Sequence, residues 1–205
     1  MKVLIACEFS GVVRRAFAKK GHEVYSCDLL PSLDNSPFHI QDDVYNHLIS
    51  VRVPYDLIIA HPPCTFLTVA ANRWYSKERD LLERSVSFAI GFFDFAKSVC
   101  IENPVGRLST MFRKPDQTIQ PYEFGDDASK RTCLWLQSLP LLQRDPNKRK
   151  PGRRVEWPPG SGKLVERWEN QTDSGQNKLS PSKDRGLLRS ITYQGIAEAF
   201  AEQWG

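Results

Sequence analysis

The stretch "KVLIACEF" at residues 2 to 9 is a short apolar run of strand character. It is followed directly by "GVVRRAFAKKG", apolar at helical spacing and ended by Gly21, and then by "HEVYSCDL", a second strand. This β-α-β opening constrains the fold more than any other feature, because two strands joined through a helix lie parallel in one sheet. The pattern continues. "YDLIIA" is a third hydrophobic strand, residues 77 to 98 form a long helix, "SVCIENP" is a strand stopped by Pro104, and "RTCLWLQSL" is another. "GIAEAFAEQW" closes the chain as an amphipathic helix. The expected fold is therefore α/β, a Rossmann-like, doubly wound, mostly parallel sheet, whose ligands lie at the carboxyl ends of the strands.

Residues 140 to 188 break this rhythm. They are rich in Pro, Gly, Ser, Lys and Arg, show little periodicity, and read as a small, irregular, basic insertion. The domain expected from the alternating segments is then residues 1 to 139 together with 189 to 205. Residues 144 to 167 hold eight Lys or Arg against three Asp or Glu, so the formal charge of +4 is concentrated there. A solvated loop explains such a segment as well as a nucleic-acid contact does, in which Trp157 and Trp168 would stack a base.

At 205 residues the chain is long enough for one folding unit with a substantial core. Its apolar runs are too short to cross a bilayer, and the N-terminus reads as a strand rather than a signal peptide, so a cytoplasmic protein without a membrane partner is expected. Five cysteines, at 7, 27, 64, 100 and 133, are odd in number and form no C-x-x-C pair. Neither a disulfide framework nor a structural zinc site is expected, and no metal is required.

The segments that carry chemistry stand at strand ends. "CEFSGVV" offers one glycine where a dinucleotide fingerprint has three, which argues against a nicotinamide cofactor. One glycine still permits a tight turn with amides facing a ligand at a helix start. Asp28, one strand later, can accept hydrogen bonds from ribose hydroxyls, and that order suits an adenosyl cofactor. Pro62-Pro63-Cys64 ends the third strand and Glu102-Asn103-Pro104 a later one.

In this order the motifs resemble the cytosine C5 methyltransferase family, in particular its small phage and prophage members. Phe9-Ser10-Gly11 is similar to the family's cofactor turn, Asp28 with Leu29 beside it to the ribose-binding acid, and Asp43-Val44 to the adenine-contacting pair. Pro62-Pro63-Cys64 resembles the nucleophile motif, Glu102-Asn103-Pro104 the catalytic triplet, and Ser129-Lys130-Arg131 the arginine-containing stretch. "TYQGIAEAFAEQW", with Thr192, resembles the C-terminal segment that folds over the cofactor.

The resemblance implies S-adenosylmethionine as cofactor, held by Phe9, Ser10, Gly11, Asp28, Leu29, Asp43, Val44, Pro62 and Thr192. It implies catalysis by Cys64, Glu102 and Arg131, with Pro63 and Asn103 at the substrate. Carbon 5 of cytosine is too weak a nucleophile to take a methyl group until a thiolate adds to carbon 6. Cys64 is the implied thiolate, Glu102 the partner of ring nitrogen 3 and the exocyclic amine, and Arg131 the partner of the ring carbonyl.

The chain departs from the family at His61, where glycine is usual, at Pro104 for valine, Ser129 for glutamine and Cys133 for the second arginine. The recognition domain is replaced by the basic insertion, whose Lys148, Arg149, Lys150, Arg153 and Arg154 are the expected DNA contacts, the target base being turned out of the stack. Three readings follow: DNA cytosine C5 methylation, C5 modification of another pyrimidine such as a free nucleotide or RNA, and a non-catalytic nucleic-acid-binding relative. Retention of both Cys64 and Glu102 tells against the last.

Overall fold

Strand β1 (Lys2–Ala6) lies between β2 (Glu23–Asp28) and β4 (Leu57–Ala60), parallel to both. The computed structural model describes residues 1–51, 54–68 and 79–205. Beyond β2 the sheet continues to β3 (His39–Gln41). Beyond β4 it continues to β5 (Ser98–Pro104), β7 (Thr132–Gln137) and β6 (Gln117–Ile119), giving the order β3-β2-β1-β4-β5-β7-β6. Only β7 runs against its neighbours. The doubly wound, mostly parallel α/β sheet expected of the sequence is the fold of the chain.

The central strands are apolar on both faces because both faces are covered. Successive residues point to opposite sides, so Val3, Ile5, Leu57 and Ile59 pack beneath helices α1 (Val12–Lys19) and α6 (Gln194–Trp204). Leu4, Ala6, Ile58 and Ala60 pack instead against α2 (Val44–Ser50) and α3 (Arg79–Ile90). On the first side α6 buries Ile196, Phe200 and Trp204, each contributing roughly 1.5–3 kcal/mol of apolar burial. This fastens the end of the chain beside its beginning.

The helix expected over 77 to 98 is shorter. Residues 77 and 78 lie outside the described residues, and α3 stops at Ile90, where Gly91 weakens the helix and a 3-10 turn (Gly91–Asp94) buries Phe92 against Tyr45 and Phe88. A four-residue helix, α4 (Leu108–Met111), follows β5. Within residues 140 to 188 the chain forms one antiparallel hairpin, β8 (Arg153–Glu156) with β9 (Leu164–Arg167), and the start of a short helix, α5 (Arg185–Ser190).

The insertion is held to the body by Trp168. Its ring lies 3.9 Å from that of Tyr122, nearly parallel, and its indole N–H donates to the Lys150 carbonyl at 3.0 Å, while Lys150 N–H donates to the Tyr122 carbonyl at 2.8 Å. Trp168 is buried. Its expected role of stacking a nucleic-acid base is therefore corrected: the ring's apolar surface is already spent on Tyr122. Among the described residues, no helix is long and apolar enough to cross a membrane.

Candidate active site

Parallel register brings the strand ends into line. Ala6 pairs with Ala60 and Ala60 with Ile101, so the next row along the carboxyl edge is Cys7, His61 and Glu102. His61 keeps the row by donating its N–H to the Ala6 carbonyl at 2.9 Å. β7 runs the other way, pairing Asn103 with Cys133 and Pro104 with Thr132, so its entry residues 129 to 131 arrive at the edge where β5 leaves.

A cavity of about 640 Å³ opens at this edge, walled by Cys64, Glu102, Asn103, Lys130 and Arg131 among others. Phe9, Ser10, Pro62, Pro63 and Thr192 line it as well. A second cavity of about 370 Å³ is lined by Asp28, Leu29, Asp43 and Val44. The two share Cys7 and Pro63 as walls. Of the residues expected at the cofactor, Asp28, Leu29, Asp43 and Val44 line the smaller cavity, whereas Phe9, Ser10, Pro62 and Thr192 line the larger one with Cys64 and Glu102.

The chain after Pro63 turns tightly, with the amides of Leu67 and Thr68 both donating to the Cys64 carbonyl at 3.0 and 3.1 Å. Cys64 remains partly exposed to the cavity. Burial pushes its thiol up, the Glu102 carboxylate adds to this, and the cations of Lys130 and Arg189 pull the other way. The resting group is a thiol, and the neighbouring cations favour its ionisation.

Glu102 is 13% exposed, and its Oε2 accepts from His61 Nδ1 at 3.0 Å. Burial pushes the carboxyl up, but the His61 hydrogen bond and the Lys130 charge outweigh it and hold it below the usual range. Asn103, 2% exposed, donates through Nδ2 to the Pro62 carbonyl at 2.7 Å, and its Oδ1 is buried without a partner among the described residues.

Lys130, rather than Arg131, is the cation whose charge reaches both Cys64 and Glu102. Arg131 lines the cavity with an exposed side chain, its charge acting on Cys133. Lys130 also donates through Nζ to the Arg189 carbonyl at 2.9 Å. The sequence order offered Lys130 only as the residue between two others.

In the second cavity Asp28 sits at the end of β2, its carboxyl pushed up by burial against the Leu30 amide that donates to it at 2.9 Å. Asp43 caps α2, accepting from the amides of Tyr45 and Asn46 at 2.9 and 3.1 Å. Two carboxylates facing one chamber suit the hydroxyls of a ribose and the amine of a purine, which fits S-adenosylmethionine.

Two expectations for the cofactor turn are corrected. The amides of Val13 and Arg14, which open α1, are taken by the buried Glu8 carboxylate at 2.7 and 3.2 Å, so they do not face a ligand. Gly11, with φ of 69°, lies outside both cavity walls. A Cβ there would stand 2.6 Å from an Arg14 guanidinium nitrogen and 2.8 Å from Asp34. Its glycine is needed by the backbone and by the Arg14–Asp34 ion pair.

The five basic residues of the insertion line neither cavity. Lys148 pairs with Glu202 at 3.2 Å, Arg149 with Glu166 at 2.5 Å, and Arg153 with Asp173. The insertion instead brings Asn170, Asn177, Leu179, Gly186 and Leu188 to the larger cavity, and Asn170 accepts from the Ser129 amide at 2.9 Å and donates back to the Ser129 carbonyl at 3.0 Å. Nothing in the local sequence marks Asn170 for that role.

No family model and no curated protein matches this chain in sequence. Among solved structures, it is similar to a protein described as a DNA modification methyltransferase encoded within an E. coli prophage. The TM-score is 0.46 and the identity 15%, over 69% of this chain and 49% of that one. It is also similar to the bifunctional kinase-methyltransferase WbdD, with a TM-score of 0.40 and 14% identity over 69% of this chain and 36% of that one. The chain thus covers about half of the prophage protein and about a third of WbdD.

Proposed function

We propose that this chain is an S-adenosylmethionine-dependent DNA cytosine C5 methyltransferase with Cys64 as nucleophile. One observation carries the reading: Cys64 and Glu102, from the ends of adjacent strands, wall one cavity with Lys130, and that cavity adjoins a chamber bearing Asp28 and Asp43.

The Cys64 thiol loses its proton and the thiolate forms a bond to carbon 6 of the base. The electrons of the 5,6 double bond shift toward carbon 4, those of the carbon 4–nitrogen 3 bond move to nitrogen 3, and a proton taken from solvent reaches nitrogen 3 by way of the Glu102 carboxyl. Carbon 5 is now a nucleophile. When bound, S-adenosylmethionine supplies an activated methyl group. Loss of the carbon 5 proton to solvent then restores the double bond and expels Cys64 as a thiolate, and nitrogen 3 gives its proton back through Glu102. Lys130 favours the thiolate, while the unpartnered Asn103 Oδ1 offers an acceptor to the exocyclic amine.

The deciding experiment is a trap. An oligonucleotide bearing 5-fluorocytosine lacks the proton needed for elimination, so with S-adenosylmethionine it leaves a covalent adduct, read by mass spectrometry of the intact protein. The parent forms the adduct and Cys64→Ser does not, while calorimetry gives both the same affinity for S-adenosylmethionine. An adduct formed equally by Cys64→Ser overturns the reading.

A second reading is favoured by one observation. Three of the five clustered basic side chains are engaged with Glu202, Glu166 and Asp173, which suits a cytidine nucleotide or a short RNA better than a long duplex. The same trap with 5-fluorocytidine monophosphate distinguishes the two substrates.

A further inference from the structure

The larger cavity is bordered by three cations, Lys130, Arg131 and Arg189, and by two carboxylates, Glu8 and Glu102. Both carboxylates are engaged inside the protein, Glu8 by the amides of Val13 and Arg14 and Glu102 by His61. The smaller cavity has the opposite character, with Asp28, Asp42 and Asp43 against Arg84. The side of the site that holds Cys64 is therefore the side that attracts an anion.

Arg189 is the cation there that the protein itself uses least. It stands in the last turn of α5 with an exposed side chain, and among the described residues no carboxylate pairs with its guanidinium. Its main chain is nevertheless held. Lys130 Nζ donates to the Arg189 carbonyl at 2.9 Å, a cation placed where the last carbonyls of a helix lack partners. This bond fastens α5 to the residue whose charge reaches both Glu102 and Cys64, and the Arg189 charge is itself felt at Cys64, after that of Lys130. Lys148, Arg149 and Arg153 of the basic insertion are instead paired with carboxylates.

A pyrimidine nucleotide in its ordinary anti form carries carbon 6 on the side of its own 5′-phosphate, and the ring carbonyl on the other side. A sulfur bonded to carbon 6 thus has that phosphate as its nearest anionic neighbour. A guanidinium presents a planar fork of donors that matches two phosphate oxygens. We propose that Arg189 holds the 5′-phosphate of the target nucleotide, so that the base enters the cavity with carbon 6 toward Cys64. This rests on the cytosine reading above. The same group is present on a free nucleotide 5′-monophosphate and, as a phosphodiester, on a nucleotide within a strand. Lys130 stays with Cys64 and Glu102, so binding the phosphate takes from the thiolate only the lesser of these two cations.

The test compares ligands that differ in that phosphate alone, on the whole chain. Protection of Cys64 from iodoacetamide, read by peptide mass mapping, is titrated with cytidine and with cytidine 5′-monophosphate. It is then titrated with two oligonucleotides that each hold one cytosine, the phosphate 5′ to it being a neutral methylphosphonate in one of them. In the parent the ligand bearing the phosphate protects at a concentration at least about tenfold lower. In Arg189→Met the two ligands of a pair protect equally, because side chain and phosphate are two ends of one interaction. Arg189→Lys keeps the charge without the fork and retains part of the advantage. An advantage confined to the cytidine pair supports the proposal with a free nucleotide as substrate, and one confined to the oligonucleotides supports it with a strand. An advantage of parental size in Arg189→Met, or none in the parent with either pair, overturns it. Failure of the cytosine reading looks different: 5-fluorocytosine leaves no adduct and uridine 5′-monophosphate protects as well as cytidine 5′-monophosphate, while the phosphate advantage and its loss in Arg189→Met remain.

Discussion

Asn103 donates its side-chain N–H to the main-chain carbonyl of Pro62 across 2.7 Å, and both are buried. This bond ties the end of β5, where Glu102 stands, to the loop that carries Cys64, so the distance between acid and thiol is set by a contact neither of them makes. Asn103→Ala removes the donor and leaves the Pro62 carbonyl unpaired, at a cost of about 1–3 kcal/mol. Urea denaturation should show that loss, and adduct formation should fall at least tenfold in protein that remains folded.

Lys130 supplies a second expected outcome. The Cys64 thiol is pushed up by burial and by the Glu102 carboxylate, and Lys130 opposes both. A raised thiol means the thiolate fraction grows as pH rises, and removing the cation raises the thiol further. Alkylation of Cys64 by iodoacetamide, followed by peptide mass mapping, should therefore shift to higher pH in Lys130→Met and run severalfold slower at neutral pH. Arg131→Met should leave that midpoint in place.

Gly106 secures the same loop from the other side. The Arg107 amide donates to the Leu67 carbonyl at 2.7 Å, and a Cβ on Gly106 would stand 1.9 Å from that oxygen. The neighbour is backbone, so no side chain can swing away. Gly106→Ala should cost about 1–3 kcal/mol in thermal or urea denaturation and slow adduct formation while cofactor affinity, read by calorimetry, stays near that of the parent.

The insertion predicts a specific salt dependence. Each phosphate contact contributes a slope of about 0.9 to the logarithmic plot of DNA affinity against salt. Lys148, Arg149 and Arg153 are ion-paired within the protein, so changing them with Lys150 and Arg154 to alanine should flatten the slope by about 2 rather than by about 4.5. An unchanged slope assigns the grip to the rim of the sheet; a fall near 4.5 means the ion pairs open on binding.

The apolar runs and their alternation with helical segments sufficed for the sheet, because burial on both faces demands continuous hydrophobic strands and that demand is local. The placement of Asp28, Cys64 and Glu102 at or just beyond strand ends was legible for a related reason: parallel strands present all their carboxyl ends along one edge. Strands β3 and β6, three residues each, were not, since so short a segment has no period to read and owes its pairing to neighbours.

The tertiary structure alone decided the rest. The reversed direction of β7 brought residues 129 to 131 to the edge where β5 leaves, where the charge of Lys130 acts on both the acid and the thiol and that of Arg131 on Cys133. The stack of Trp168 on Tyr122 took an aromatic residue away from nucleic acid. Register between β4 and β5 made a hydrogen-bonded pair of His61 and Glu102, forty-one residues apart. Each of these depends on which surfaces meet across long separations in the chain. Local periodicity carries no record of such contacts, because their energy belongs to two segments at once.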